Sequence, residues 1–407
     1  MRVWFISKYA SIPKYGAASR LFHLANEFNS CGQEAILITS DANHLCDFPS
    51  SRKIYNYEKV ENTPVYWIKT KKYTRTASIS RVLSWIDFDA KLFFMKKSML
   101  PTPEVVIVSS LSLLTIIYGY YLKRRYKATL VFEVRDIWPL TMIEEGGYSR
   151  RHPLVMFLRI VEKFGYRHSD LIVGTMPRLD LHVRESIGYE RPFFCSPIGY
   201  DRETCSKNND IHGPNLDQYF PEKKIIVGYA GSMGVSNALE PLVECIKRME
   251  QYKNIHFVLT GGGDLRENFE QDLEMNKNVT FVPRIRACDV PQFLSRCDIL
   301  YLSTKKSGVW RFGQSMNKVV EYMMSGRPII ASYSGFPSMI NESGAGVFVP
   351  SNDSQAIQEA ILRYASFSPA ERLEIGAKGR KWILKNRSYS RLAGDYIERL
   401  VKINHQK

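Results

Sequence analysis

Short apolar runs alternate with helix-period stretches twice along this chain, and one polar segment separates the two series. The first series opens with VWFIS at 3–7, a helix-period stretch at 19–32 ending on Gly32, and AILITS at 35–40. Strand, helix, strand in that order predicts a parallel pair with a right-handed crossover. Further strands are expected at 105–110, 129–134 and 170–175. The polar stretch 201–224 reads as a loop or linker. The alternation then restarts, with strands expected at 225–231, 255–260, 279–283, 298–304, 328–333 and 346–350, and helices at 239–252 and 317–326. A chain of 407 residues exceeds one core of typical size. The expected fold is therefore α/β: two Rossmann-like, doubly wound domains facing across a cleft. In open sheets of this kind ligands sit beyond the carboxyl ends of the strands.

Other classes are excluded by composition. No stretch has the 18 apolar residues a membrane span needs, and the amino-terminal run does not read as a secretory signal. The seven cysteines are scattered, with no CxxC and no zinc spacing, which suits a reducing cytoplasm. The net charge of +15 suits an anionic partner, whether nucleic acid, a membrane surface or diphosphate ligands, or serves solubility alone. It is spread over 69–75, 123–127 and 149–152 rather than concentrated on one element, and no nucleic-acid module is visible. Segment 77–100 sets Leu83, Trp85, Ile86, Phe93 and Phe94 beside Lys91, Lys96 and Lys97. Such a helix can lie in a bilayer interface or pack on a core.

The stretch 308–332 carries the densest chemistry. A Gly-bearing loop with Arg311, Gly313, Ser315 and Met316 opens a helix at Asn317 that stops at Gly326. A helix start offers free N–H groups and partial positive charge to a diphosphate. Lys318 in the first turn is unfavourable beside the dipole unless an anion is near. Glu321, one turn on, can accept hydrogen bonds from ribose hydroxyls. The same residues also suit a plain loop–helix–strand junction. At 132–136 a strand runs into Arg135 and Asp136. They suit either a structural ion pair or a site, in which Arg135 grips an anion but cannot act as a base, and Asp136 orients an acceptor hydroxyl or stabilises positive charge at the anomeric carbon.

The run 308–332 resembles the signature of retaining glycosyltransferases of the GT-B fold, in the glycosyl transferases group 1 family that includes bacterial capsule and O-antigen enzymes. The signature has two Glu residues separated by seven. Glu321 matches the second, the family's ribose ligand, whereas the first falls at Gly313. Asn317 and Lys318 fall where the family binds donor phosphates. FEVRDIWPLTMIEEGG at 132–147 resembles the same subgroup, with Arg135 where many relatives have His. Gly16 and Ala17 match the small residues of the family's first loop. Gly231 and Ser232 lie on the first turn of the second domain, but Ser232 and Ala238 replace the Arg and Lys that relatives carry there for the diphosphate. Lys318, Arg311, Arg284 and Arg135 are the candidate replacements. Arg284 and Ile285 fall where the family cradles the nucleotide base, and TGGGD at 260–264 is expected to shape the site.

The resemblance implies an acceptor domain at 1–203, joined by a last helix at 385–407 that crosses back to it, and a donor domain at 204–384. It implies transfer of a hexosyl or N-acetylhexosaminyl group from a UDP- or GDP-sugar to a lipid-diphosphate-linked saccharide. The protein would then be cytoplasmic and peripheral on the inner membrane face. No acidic metal motif stands at a strand end, so no metal or other cofactor is expected. Two further readings remain: a nucleotide-sugar 2-epimerase, which needs histidines and carboxylates gathered in the cleft, and a non-catalytic polyanion-binding protein.

Overall fold

The computed structural model describes residues 1–15, 19–42, 51, 53–73, 78–97, 100–200 and 215–405. The chain forms two compact units, Met1–Gly199 with Tyr389–Lys407, and Tyr200–Ser388.

The first unit runs β1 (Arg2–Ile6), α1 (Arg20–Ser30), β2 (Glu34–Ser40), β3 (Tyr55–Val60), β4 (Thr63–Ile68), α2 (Ile79–Phe94), β5 (Val105–Ser109), α3 (Thr115–Tyr126), β6 (Thr129–Val134), α4 (Leu140–Glu144), α5 (Pro153–His168), β7 (Leu171–Gly174), α6 (Leu179–Ile187) and β8 (Phe193–Cys195). The sheet order is β3-β4-β2-β1-β5-β6-β7-β8. All pairings are parallel except β3 with β4. The central strands β1, β5 and β6 are buried nearly throughout, as a parallel sheet covered on both faces requires. The β3–β4 hairpin was not anticipated. Its strand β3 is half-exposed at the sheet edge and carries no long apolar run.

The second unit runs β9 (Ile225–Ala230), α7 (Glu240–Arg248), β10 (Ile255–Thr260), α8 (Arg266–Asp272), β11 (Val279–Val282), α9 (Val290–Ser295), β12 (Ile299–Ser303), α10 (Asn317–Ser325), β13 (Ile329–Ser332), α11 (Ile340–Ser343), β14 (Gly346–Val349), α12 (Ser354–Ser366) and α13 (Pro369–Asn386). Its sheet, β11-β10-β9-β12-β13-β14, is wholly parallel. The last helix, α14 (Tyr389–His405), belongs to the first unit, where Tyr389, Leu392, Tyr396 and Leu400 join the core formed with α1 and β1.

Strand order reverses between β1 and β5 in one sheet and between β9 and β12 in the other. Loops diverge at such points and leave a crevice at the carboxyl ends. In the first unit a buried ion pair stiffens that edge. The Arg20 guanidinium, at the start of α1, lies 2.8 Å from Glu133 on β6 and donates to the Ser196 carbonyl at 2.6 Å.

Candidate functional site

At the switch point of the second unit, β9 ends and the chain turns through Gly231–Ala238. The Lys318 ammonium, delivered by the first turn of α10, reaches into this turn. It donates to the Tyr229 hydroxyl and to Asn237 Oδ1, each at 3.0 Å, and lies 4.5 Å from the Tyr229 ring centre. It passes over Gly231, where a Cβ would stand 2.7 Å from Nζ. Burial lowers the Lys318 pKa to about 8, against an opposing pull from Glu321. An ammonium held this way gains from any anion that enters. The family's turn cations are replaced by Ser232 and Ala238, and a charge from another element occupies that turn.

The start of α10 is open by construction. Met316 caps the helix in extended conformation with no side-chain capping bond, while its own N–H donates to Gln314 Oε1 at 3.2 Å. By position, the Asn317 and Lys318 N–H groups have no intrahelical acceptor. Asn317 is exposed and Ser315 half-buried. Gly313, with φ 94°, ends the 3-10 turn Gly308–Phe312, a left-handed position suited to glycine. Arg311 on that turn is exposed, its guanidinium 4.4 Å from the Phe312 ring centre. Glu321 opens to solvent on the next helical turn. Dense surroundings nevertheless raise its pKa, with the Lys318 charge acting in opposition.

The Gly run after β10 backs this turn. Met233 N–H donates to the Gly262 carbonyl at 2.8 Å, and a Cβ on Gly261 would stand 1.7 Å from the Gly231 carbonyl oxygen. Arg284 reaches the same run, with its Cδ 3.5 Å from a Cβ position on Gly262. Arg284 and Ile285 line an open cavity of about 540 Å³ with Tyr219, Pro283 and Arg286. Cavity, glycine turn, lysine and helix start thus follow one another along one edge of the second sheet.

In the first unit, Arg135 and Asp136 emerge at the carboxyl end of β6. The Arg135 backbone is fixed by Ser110 Oγ at 2.9 Å and Thr175 Oγ1 at 3.2 Å. Its Nη1 is buried with no hydrogen-bond partner among the described residues. Burial raises the Asp136 pKa, and the Arg135 and Arg81 charges oppose that shift. Gly16 and Ala17 lie outside the described residues.

Sequence reasoning missed Tyr229 and Asn237 beside Lys318, and Arg81, whose charge acts on Asp136, with Tyr9, Trp85 and Trp138 around it. Tyr229 and Asn237 lie in the turn stretch 228–241 and Trp138 in the stretch 132–147, but nothing in either stretch singles these residues out. The out-of-place lysine was a usable signal for the first group, and no local feature marked the second. Of the described histidines, His182 pairs with buried Glu162 at 2.7 Å and His23 stacks on Tyr389. Among the described residues no three His, Cys, Asp or Glu side chains are grouped as around a metal ion.

Residues 224–366, within the second unit, match the family model described as Glycosyl transferases group 1. The chain matches no curated protein. Among solved structures it is similar to sucrose-phosphate synthase from Thermosynechococcus elongatus, with 15% identity, all of both chains covered and a TM-score of 0.76. It is also similar to the E. coli trehalose-6-phosphate structure bound with UDP-2-fluoro glucose, at 13% identity, 98% and 99% coverage and a TM-score of 0.72. Anabaena HepE in complex with UDP and glucose follows at 15% identity, 98% and 99% coverage and a TM-score of 0.65. Likeness at these identities shows the fold, which is GT-B: two Rossmann-like parallel sheets with flanking helices.

Proposed function

We propose that the protein is a retaining glycosyltransferase whose second unit holds a nucleoside-diphosphate-sugar and whose first unit presents the acceptor. The observation that carries this reading is the Lys318 ammonium, partnered by Tyr229 and Asn237 and set beside an uncapped helix start. As the glycosidic bond to the donor breaks, negative charge grows on the leaving diphosphate. Fixed donors that already point there lower the barrier without reorganising. Lys318 and the Asn317 and Lys318 N–H groups supply them. Glu321 binds the ribose, and the cavity at Arg284 and Ile285 receives the base. UDP is the nucleotide to try first, since it is present in two of the similar structures.

Asp136 is assigned the acceptor hydroxyl, with Arg135 holding it in place. Attack comes from the face the leaving group departs, which preserves the anomeric configuration. The acceptor is a surface-polysaccharide saccharide carried on a lipid diphosphate. The outer faces of three neighbouring helices support that choice: Ile79, Ile86 and Phe94 on α2, Ile117 on α3, and Met156, Phe157 and Ile160 on α5 are all exposed. Phe93 meets Tyr118 edge to face and Tyr121 at a tilt, joining α2 to α3. Exposed Lys96, Arg124, Arg125 and Arg159 accompany this apolar surface, a combination that suits the anionic inner leaflet. No helix among the described residues is long and apolar enough to cross a membrane.

The test is transfer of a labelled sugar from UDP- and GDP-sugars, alongside binding of the nucleotide alone. Glu321→Ala should weaken UDP binding while leaving inorganic diphosphate unaffected. Asp136→Ala should lower turnover at least tenfold with donor affinity unchanged. Wild-type transfer in both variants would remove these assignments, and release of a free 2-epimer without acceptor would favour the epimerase.

A further inference from the structure

The cavity of about 540 Å³ lined by Arg284 and Ile285 lies wholly within the second unit. Its volume is that of a small-molecule site and admits a purine as readily as a pyrimidine. Size therefore does not choose between nucleobases, and the polar groups of the walls must. One wall is the 3-10 turn Asp217–Tyr219 with Asn215 and Leu216 before it. The Tyr219 N–H donates to the Leu216 carbonyl at 3.0 Å, and Asp217 pairs with Arg296, so this wall is pinned. The other wall is the chain from Val282 to Arg286 at the end of β11, together with Asp289.

Most acceptors in these walls already hold a donor from the protein. The Val282 carbonyl accepts from Arg266 Nη1 at 3.1 Å, and the Pro283 carbonyl from Thr260 Oγ1 at 3.0 Å. Asn215 Oδ1 accepts the Asp217 N–H at 3.0 Å. Asp289, the one carboxylate among the described lining residues, is buried and held on both oxygens by Arg286. Arg286 Nε lies 2.8 Å from one oxygen and Nη2 3.1 Å from the other. The donors are in the opposite state. Among the described residues nothing accepts from the Arg284 guanidinium, the Asn215 amide nitrogen or the Ile285 N–H. The acceptors left over are the Ile285 carbonyl and the exposed Gln218 amide.

We infer that this cavity takes a base with a uracil-type edge in preference to guanine, and that Arg286 sets the preference by withholding the Asp289 carboxylate. A uracil-type edge is a single N–H between two carbonyl oxygens. It asks for two donors and one acceptor, which Arg284, Asn215 and the two Ile285 backbone groups supply. Guanine sets a ring N–H beside an amino group and asks for paired acceptors, for which a free carboxylate is the best match. Without one, its donors lose water and gain no partner. The inference rests on the cavity being the base site, and it adds the class of nucleotide. Two nucleotides share the edge, UDP and dTDP, and they differ at the 2′-hydroxyl and a ring methyl.

The whole protein is titrated with UDP, dTDP, GDP and inorganic diphosphate. UDP or dTDP should bind at least about tenfold more tightly than GDP, a difference of about 1.4 kcal/mol. The tighter of the two names the nucleotide. Arg286→Met should release Asp289 and narrow that preference at least about fivefold, chiefly by tightening GDP. Inorganic diphosphate should change less than about twofold in the variant, since Arg286 lies outside the helix start. A merely structural arginine would weaken every nucleotide alike and leave their ratio as it was, which overturns its role. GDP binding as tightly as UDP and dTDP to the unaltered protein overturns the inference whatever the variant does, and leaves the donor site standing. Nucleotides that bind no more tightly than inorganic diphosphate would instead undo the cavity as the base site.

Discussion

Lys318 reaches its position only because residue 231 is glycine: a Cβ there would stand 2.6 Å from Lys318 Cε and 2.7 Å from Nζ. The atoms that would yield are the far end of a flexible side chain, so Gly231→Ala should displace the ammonium and leave the fold standing. Loss of a charge-assisted contact of about 1.5–3 kcal/mol corresponds to roughly 10- to 150-fold in Kd for UDP. Calorimetric titration with UDP and a thermal melt check this together. An unchanged Kd would show that the lysine does not touch the diphosphate.

The lowered Lys318 pKa gives binding a pH signature. Between about 8 and the ordinary 10.5 the unfolded chain holds a proton on this amine that the folded protein lacks. Its contribution to stability therefore rises with pH through that window, and its cost is fully present below 8. A bound diphosphate favours the ammonium, so above pH 8 binding takes up a proton. UDP affinity should be greatest below pH 8 and fall above it by up to about tenfold per pH unit. Lys318→Met should bind weakly with a flat profile between pH 7 and 9.5. Parallel profiles for the two proteins would contradict the assignment.

Arg20 and Glu133 are 3% and 0% exposed, so removing either partner strands a buried charge or its desolvated donors. Arg20→Met should cost about 3–5 kcal/mol, and Arg20→Met with Glu133→Leu less than that single change. Urea unfolding should show the loss in the first unit's transition alone, since every partner lies there. A shift below about 1 kcal/mol would mean the pair is dispensable.

Membrane contact through α2 and α5 predicts a surface defect without a catalytic one. Phe94 is 82% exposed and Ile160 68% exposed, so serine at both should leave stability within about 0.5 kcal/mol. Co-sedimentation with vesicles containing anionic lipid should fall severalfold, while nucleotide binding stays unchanged. Equal co-sedimentation of the double variant would place the contact elsewhere.

Within the site, the parts that local chemistry dictates were legible in advance. The helix from Asn317 stops at Gly326, which adopts a left-handed φ of 70°, and the lysine beside the helix dipole was visible as an anomaly. Its partners were not, because Tyr229 and Asn237 lie 89 and 81 residues away. The same holds for α2. Its sequence shows one apolar, basic stretch, but Trp85, Phe88 and Leu92 face the core while Leu83, Ile86 and Phe94 face outward. Periodicity alone did not say which neighbour would claim which side.

The sequence by itself determined two α/β series, their parallel strands and the helix start suited to a diphosphate. These follow from period, caps and apolar runs, each set by residues a few positions apart. Tertiary structure alone decided that Lys318 would fill the turn left uncharged by Ser232 and Ala238, and that Tyr9, Trp85 and Trp138 would surround Arg81. Those meetings follow from strand order, which places β12 against β9 and β5 against β1. Strand order is settled by packing the whole sheet and its helices at once, not by any single segment.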